Sequence, residues 1–398
     1  MSTSSNWIRR AARNAALALA ATAAALLAGE LALRAAGFSF VKFWQPDPLT
    51  GSRLRAGVQG WQTDEGRAYV RINSQGWRDR EHPLAKPAGT YRIAILGDSY
   101  AEAMQVDIER TFWWLLPQKL AACGFAAARE IETLNFGVSG YGTGHALLTL
   151  RERVWAYHPD MVLLAFFPGN DVRNNSAALE HEMGRAYFSL KDGKLYLDTA
   201  FRDDPLFIEK QHISAQRAWL QDLRLYQLLR RVRAGDIAKG FHNAPVAAAL
   251  AAGEKLTEPG LDEQVFHEPR DGSWREAWDI TDRLVAAVAD ETRSHGARFV
   301  LAILSTPGTV YPDAALRERY ARSLGVSSLF YPEERLARLG EQRGFEVIAL
   351  APQMQRVADA KHVFLHGFAN TKPGFGHWNE AGHALAAELI ASQLCRRP

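Results

Sequence analysis

Cysteine and net charge are both scarce in this sequence, and each scarcity excludes a class of protein. The 398 residues include two cysteines, Cys123 and Cys395, which excludes a disulfide-rich scaffold and a cysteine-based zinc site. We therefore expect a chain without disulfides that depends on its hydrophobic core for stability. The formal net charge is +3, from 47 basic and 44 acidic residues, which is too small to indicate a nucleic-acid partner.

Motifs for metals and nucleotide cofactors are also missing. His181-Glu182 is followed by Arg185 at the position where a zinc-binding helix needs histidine. The glycines between 140 and 144 do not have the spacing of a dinucleotide-binding loop, and no Walker loop occurs. The sequence therefore predicts neither a metal nor a cofactor.

A long uncharged apolar run occurs at the N-terminus. Arginines between positions 9 and 13 precede a run of mostly Ala and Leu from Asn14 to Gly29. As a helix this run spans about 24 Å, which is short of the ~30 Å hydrocarbon core of a membrane. Extending the helix to Ala36 gives the required length but includes Glu30 and Arg34. Because these two residues are spaced i and i+4, they can pair on one face of the helix.

Three interpretations of residues 1–41 remain open at this point. They are a transmembrane signal anchor, a cleaved signal peptide with sites such as Ala23–Ala25, and an Ala-rich soluble helix. The first two both place the rest of the chain outside the cytoplasm, because the arginines stay inside. We predict the first: a single pass through the inner membrane, with the body of the protein on the periplasmic side.

Strand-like and helix-like segments alternate after residue 90. Continuous apolar runs bounded by turn residues are typical of strands buried on both faces, and five such runs occur, at Tyr91–Leu96, Ile131–Phe136, Met161–Phe167, Phe299–Leu304 and Phe345–Leu350. Helical patterns lie between or after them, at about 111–122, 144–157, 275–295, 333–343 and 379–394. This alternation predicts a doubly wound (flavodoxin-like) α/β fold, with a five-stranded parallel sheet between two layers of helices.

Two segments do not fit that core. Residues 42–90 precede the first strand, and we expect them to pack as an extension on a domain formed by residues 91–398. Residues 171–274 are too long for a simple connection, so we expect a largely helical insertion. Within it, 211–233 has the pattern of a basic amphipathic helix, which is consistent with a solvated outer face, a cap over the substrate or a membrane-surface contact.

Polar and glycine-rich segments directly follow the first three predicted strands. These segments are Gly97–Tyr100, Asn135–Gly142 and Pro168–Asp171. In open α/β sheets, ligands bind at the carboxyl ends of the strands, where the strand order reverses. If the first strand lies between the second and the third, a serine, a glycine-rich turn and an asparagine meet at one edge. That combination is a nucleophile flanked by candidate oxyanion donors.

With one further block near the C-terminus, these segments resemble the SGNH or GDSL-like hydrolases. The matching blocks, in chain order, are Gly97-Asp98-Ser99, Gly140, Asn170 and His377. The resemblance covers about residues 91–394. It extends upstream to Ile72–Asp79, which is similar to the leader of membrane-anchored bacterial members of the family.

The resemblance implies a role for each of these residues. Ser99 would be the nucleophile, and His377 would be the base that removes its proton, because imidazole has an ordinary pKa near ~6.5. The backbone amides of Ser99 and Gly140 and the side-chain amide of Asn170 would form the oxyanion hole. Asp98 would support the site by bonding the local backbone and fixing the turn.

One departure from the family pattern concerns the group that orients His377. Three residues upstream, where the family has aspartate, this chain has Gly374. A backbone carbonyl or a distant acid could replace it, the enzyme could work as a Ser-His dyad, or its activity could be low. His383 is expected to serve packing or capping, and Trp378 could stack on a sugar.

The predicted function is an exported serine esterase that hydrolyses an O-acyl ester, in particular an O-acetyl ester on a carbohydrate, through an acyl-enzyme on Ser99. A close variant is a glycan O-acetyltransferase. The alternative from another class is a non-catalytic glycan-binding or assembly scaffold, which Gly374 favours. The expected partners are a small ester or acylated glycan and, through the N-terminal helix, the membrane.

Overall fold

The chain begins with a long helix, α1 (Thr3–Ala35), in a computed structural model that describes residues 3–126, 129–233 and 261–396. Residues Asn6–Ala35 of this helix include an 18-residue window with a mean hydropathy of 1.9, and 6% of that window is buried. By length and composition this helix can cross a membrane, although a signal sequence meets the same criteria. As expected, Arg34 Nε donates to Glu30 Oε1, at 2.8 Å.

The segment after α1 forms two short β-hairpins. Strand β1 (Trp44–Asp47) pairs antiparallel with β2 (Gly51–Leu54), and β3 (Gln59–Gln62) pairs with β4 (Ala68–Arg71). Apolar side chains from this segment join the core of the protein; they include Val41, Phe43, Leu54, Val70 and Trp77. The loop between β3 and β4 is therefore held against the body of the molecule.

The core is a five-stranded parallel sheet, as predicted. Its strands are β5 (Thr90–Gly97), β6 (Glu130–Asn135), β7 (Met161–Phe166), β10 (Arg298–Ile303) and β11 (Glu346–Ala349), and β8 (Tyr187–Lys191) and β9 (Lys194–Asp198) form a separate hairpin. The order in the sheet is β11-β10-β7-β5-β6. Strand β5 thus lies between β6 and β7, which brings the ends of these three strands together.

Helices cover both faces of the sheet. Within the described residues, the α-helices that follow α1 are α2 (Ser99–Glu102), α3 (Phe112–Ala122), α4 (Thr143–Thr149), α5 (Asp171–Asn174), α6 (Ala177–Glu180), α7 (Pro205–Gln216), α8 (Ala218–Gln221), α9 (Arg224–Arg233), α10 (Gly272–Ser294), α11 (Pro307–Val310), α12 (Ala314–Leu324), α13 (Tyr331–Arg343), α14 (Ala351–Lys361) and α15 (Glu380–Arg396). Alternate residues of β5 enter two cores: Ile93 and Ile95 pack with α3, α14 and α15, whereas Ala94 and Leu96 pack with α4, α10 and α13. The doubly wound, three-layer prediction is confirmed.

The stretch that resembles the family's leader ties the extension to the sheet. Arg78 is fully buried, its guanidinium donates to the backbone carbonyl of Glu102 at 2.8 Å, and burial lowers its pKa to about 10. Next to it, Asp79 Oδ2 accepts a hydrogen bond from Asn135 N at 2.7 Å. The extension therefore contacts both the end of α2 and the end of β6.

The prediction of one amphipathic helix over 211–233 is wrong. The segment is divided among α7, α8 and α9, and the insertion also contains the β8–β9 hairpin. The last break, between α8 and α9, coincides with a contact to α1. The Glu30 carboxylate accepts hydrogen bonds from the amides of Arg224 and Leu225, at 3.0 Å each. The part of the insertion at 234–260 lies outside the described residues.

The expectation of a chain without disulfides is also wrong. Cys123 and Cys395 are bonded, with their Cα atoms 6.1 Å apart and a separation of 272 positions in sequence. Cys123 directly follows α3 and Cys395 lies near the end of α15, and these two helices pack side by side. A pair so far apart in sequence could be placed together only once the packing of these helices was known.

Candidate active site

Ser99 lies at the carboxyl end of the central strand β5, where α2 begins. Asp98 is the N-cap of α2 and accepts a hydrogen bond from Tyr100 N at 2.9 Å. Burial raises the pKa of Asp98 to about 6. Asp98 therefore bonds the local backbone, as the sequence predicts, and fixes the turn that presents the Ser99 hydroxyl.

His377 lies directly opposite Ser99, just before α15. Its Nε2 atom is 2.8 Å from Ser99 Oγ, although 278 residues separate the two in sequence. The imidazole packs against the Tyr100 ring, with centroids 5.0 Å apart. Both side chains are partly exposed. The structure therefore brings together the serine and the histidine singled out from the sequence, at hydrogen-bonding distance.

The other side of the imidazole contacts Glu65, from the loop between β3 and β4. Glu65 Oε2 is 2.5 Å from His377 Nδ1, and Glu65 Oε1 accepts from His377 N at 2.7 Å. Gly376 is required here, because a Cβ at that position would lie 2.0 Å from Glu65 Oε1. The carboxylate thus fixes both the ring and the backbone of the histidine.

The loop that carries Glu65 is held from the same segment that carries His377. Asn370 Nδ2 donates to Thr63 O at 3.0 Å and to Gly66 O at 2.9 Å. In return, Asn370 Oδ1 accepts from Gly66 N at 2.9 Å. One side-chain amide therefore bonds the backbone on both sides of Glu65.

Gly374 occupies a position where no aspartate fits. Its φ is +82°, and a Cβ would lie 2.5 Å from the Tyr311 ring. The nearest upstream acid considered from the sequence, Asp359, instead bonds Arg317 at 2.7 Å. Of the possibilities left open by the sequence, the geometry is that of a distant acid. Sequence reasoning missed Glu65, and the one signal for it was the turn sequence Asp64-Glu65-Gly66 within the extension.

Gly140 follows β6 in a turn that is fixed on both sides. Its φ of +79° favours glycine. Its carbonyl accepts from Asn174 Nδ2 at 2.9 Å and from Arg185 Nη2 at 2.6 Å. On the other side, Ser139 Oγ donates to the buried carboxylate of Glu102. These bonds fix the orientation of the peptide group whose amide is the candidate oxyanion donor.

Asn170 follows β7 and precedes α5. Its side chain lies beside Asp98 and opposes the rise in the pKa of that carboxyl, and its Oδ1 atom is buried without a partner among the described residues. The adjacent Asp171 accepts from Phe167 N at 3.0 Å. Burial and the charge of Asp98 raise the pKa of Asp171 well above its ordinary value. Ser99, Gly140 and Asn170 thus come from the ends of three adjacent strands, β5, β6 and β7.

The remaining aromatic and histidine side chains near the site are structural. Trp378 is fully buried and donates to Ser305 Oγ at 2.8 Å, so the expectation that it could stack on a sugar is wrong. His383 is buried in α15 and stacks on Phe112, as expected for a packing role. Burial lowers the pKa of His383, and also that of His366, to about 3.

Comparison with known proteins gives distant similarities. No protein-family model matches the chain. A Vibrio mimicus arylesterase is 29% identical over 82 residues, which is 21% of this chain and 39% of that protein. In fold, the chain is similar to the acetyl xylan esterase AlAXEase, with 11% identity, a TM-score of 0.38 and coverage of 76% of this chain and 98% of that one.

A GDSL-like lipase from Bacteroides thetaiotaomicron has 12% identity and a TM-score of 0.32, and the alignment covers 77% of this chain and 89% of that one.

Proposed function

We propose that this protein is a serine esterase of the SGNH type. The observation that supports this most directly is the linear arrangement of Ser99 Oγ, the His377 imidazole and the Glu65 carboxylate, joined by contacts of 2.8 Å and 2.5 Å. Nucleophile, base and orienting acid are connected in the order that nucleophilic catalysis requires.

The reaction follows from this arrangement. His377 Nε2 takes the proton of Ser99 Oγ as that oxygen attacks the ester carbonyl carbon. The tetrahedral oxyanion is stabilised by the amides of Ser99 and Gly140 and by the Asn170 side chain. His377 then donates its proton to the departing alkoxide oxygen, which leaves an acyl group on Ser99. A water molecule, deprotonated by His377, releases the acid and regenerates the serine.

Glu65 has the positioning role in this reaction. Its bond to Nδ1 keeps the proton on that nitrogen, so that Nε2 faces Ser99 as an acceptor. The negative charge also stabilises the imidazolium that forms when His377 takes the serine proton. Glu65 therefore performs the task that the family assigns to an aspartate at the position of Gly374.

We place the enzyme outside the cytoplasm, anchored by α1 in the inner membrane with its body in the periplasm. The basic residues before the apolar stretch support this orientation. The disulfide between Cys123 and Cys395 supports it independently, because such bonds persist mainly in oxidising compartments.

Active-site labelling tests the proposal. A fluorophosphonate probe should label the purified full-length protein, and Ser99→Ala should abolish the labelling, whereas Ser323→Ala, on the distant helix α12, should keep it. Equal labelling of the Ser99→Ala variant, or none of the wild type, would refute the assignment of Ser99 as the nucleophile.

The narrower form of the proposal is an acetyl ester on a carbohydrate, as the sequence resemblance implies. A screen of acetylated glycans and small acetyl esters tests it, with released acetate as the measurement. Transfer of acetyl to an added sugar instead of water would identify the glycan O-acetyltransferase variant. A protein that binds glycans but releases no acetate from any ester would be the non-catalytic scaffold.

A further inference from the structure

A cavity of about 510 Å³ lies between the insertion helices α7–α9 and the start of the extension, away from the candidate active site. Its lining is strongly basic, with Lys42, Lys210, Arg217 and Arg230 and one carboxylate, Glu209. A cavity with this lining suits an anion of the size of a phosphate headgroup.

Three of the positive charges of the cavity have no ion-pair partner among the described residues. Lys42, Lys210 and Arg217 form no ion pair with any residue in the described ranges 3–126, 129–233 and 261–396. Burial lowers the pKa of Lys42, and so do the positive charges of Lys210, Arg230 and Arg55. Because cations face one another here, a bound anion would relieve their mutual repulsion.

The cavity is adjacent to the last turns of α1. Leu225 of α9 packs against Gly29 of α1, where an added Cβ would lie 3.4 Å from Leu225 Cδ2. The Glu30 carboxylate accepts hydrogen bonds from the first amides of α9. Just after α1, Phe40 N donates to Gln227 Oε1 at 2.8 Å. Helix α9 is thus fixed against the last two turns of α1, where Glu30 and Arg34 end the uncharged run and where α1 leaves the bilayer if it spans one.

The same helices expose apolar side chains beside the basic ones. Leu206, Trp219, Leu229 and Val232 are all exposed large hydrophobic residues. Arg231 lies over the Phe40 ring, with its guanidinium carbon 3.9 Å from the ring centroid. Exposed apolar and aromatic residues together with Lys and Arg are typical of segments that lie in the interface of a membrane.

We propose that this cavity binds the headgroup phosphate of an anionic phospholipid in the membrane that holds α1. The inference rests on the membrane anchoring given under the proposed function. Helices α7–α9 then lie on the membrane surface, and the headgroup contact fixes the orientation of the body relative to the bilayer. Each basic residue that reaches an anionic surface strengthens such binding about fivefold.

A fluorophore inside the cavity can report on binding of a lipid headgroup there. Both native cysteines are in the disulfide, so Ser214→Cys, in the cavity lining, provides a unique thiol for an environment-sensitive label. The labelled full-length protein is placed in nanodiscs of phosphatidylcholine alone or with added phosphatidylglycerol. We expect an emission shift in the anionic discs that Lys210→Glu with Arg217→Glu abolishes and high salt weakens.

The matched control is Arg319→Glu with Lys361→Glu, which makes the same charge change on α12 and α14, outside the cavity. This control should retain the shift. An equal shift in both kinds of disc, or a shift that survives the cavity variant, overturns the proposal. A shift produced by inorganic phosphate in phosphatidylcholine discs overturns it in favour of a soluble ligand.

Failure of this proposal and failure of the proposed function give different results. A protein that does not enter nanodiscs at all, as judged by size-exclusion chromatography, contradicts the membrane anchoring. A protein that enters discs and shows no lipid-dependent shift contradicts the headgroup site alone. Labelling of Ser99 in the same discs reports on the esterase site independently of both.

Discussion

Glu65 bonds both the ring and the backbone amide of His377, across 312 residues of sequence. A carboxylate that bonds Nδ1 favours one tautomer of the imidazole, and the second bond fixes the position of the ring relative to Ser99. A glutamate side chain can reach this position because Gly376 leaves the space in which the carboxylate lies.

Substituting Glu65 should therefore affect the rate of reaction more than substrate binding. For Glu65→Gln we expect kcat for a small acetyl ester to fall about 10²–10⁴-fold, with KM nearly unchanged. The matched control is Asp64→Asn, which removes the exposed neighbouring carboxylate. As a surface substitution it should leave kcat within about twofold of the wild-type value. Wild-type kcat in Glu65→Gln would show that the contact with Nδ1 has no catalytic role.

The raised pKa of Glu102 predicts how the stability of the protein depends on pH. It is fully buried, and burial raises its pKa from the ordinary value of 4.5 to about 7, against the opposing effect of hydrogen bonds from Ser139 and Trp44. Between these two values the folded state holds a proton that the unfolded state has lost. The free energy of unfolding therefore falls as pH rises through this window, by about 3 kcal/mol.

Glu102→Gln removes this titration. The difference in the free energy of unfolding, variant minus wild type, should be about 3 kcal/mol larger at pH 8 than at pH 4, because only the wild type loses stability over this range. Urea denaturation at the two pH values measures it. For Glu109→Gln, at an exposed carboxylate, the free energy of unfolding should depend on pH in the same way as in the wild type. If the Glu102→Gln difference is the same at both pH values, Glu102 does not titrate in this range.

Four of the candidate site residues could be predicted from the sequence, because the segments that carry Ser99, Gly140 and Asn170 follow strands and His377 precedes a helix in a block that resembles the family's. Their positions depend on local chain direction and on the order of strands in a parallel sheet. Glu65 could not be found in this way. Its position depends on how a separate hairpin packs against the carboxyl edge of the sheet, which no local pattern encodes.

At the scale of elements, the insertion contributes to the candidate site through Arg185. This buried arginine donates to Gly140 O at 2.6 Å and bonds Glu182 at 2.8 Å. For Arg185→Gln we expect kcat to fall about 10–100-fold through a displaced oxyanion turn, with an intact cooperative thermal transition. Arg202→Gln, also in the insertion and exposed, is the control, and an unchanged kcat for Arg185→Gln would contradict this positioning role.

The strands of the sheet were predictable to within a residue or two, because their apolar runs are bounded by turns and, in β5, β7 and β10, are buried on both faces. The segment 211–233 was not, although its pattern is strongly amphipathic. Its periodicity continues past Asp222 and Leu223, where the chain leaves the helical path to place the amides of α9 against Glu30. A tertiary contact with another helix here overrides local helix propensity.

At the scale of the whole molecule, one covalent bond joins the ends of two neighbouring helices. Cys123 and Cys395 close a loop that contains four of the five strands of the sheet together with Gly140, Asn170 and His377, whereas β5, Ser99 and Glu65 precede it. Replacing both cysteines with serine should lower the free energy of unfolding by about 2–5 kcal/mol. Dithiothreitol should lower the stability of the wild type to that of the variant and leave the variant unchanged; equal stability of wild type and variant without reductant would contradict the prediction.

The three residues of the proposed triad are also synthesised in a fixed order. As the chain is synthesised from its N-terminus, Glu65 and Ser99 emerge early, and His377 emerges only after all five strands of the sheet. An incomplete chain therefore carries an unactivated serine. In the proposed triad, His377 reaches Ser99 only when the segment that leads into α15 has docked, and the docking of α15 also brings Cys395 to Cys123. Assembly of the proposed triad and formation of the disulfide therefore depend on the same late packing step.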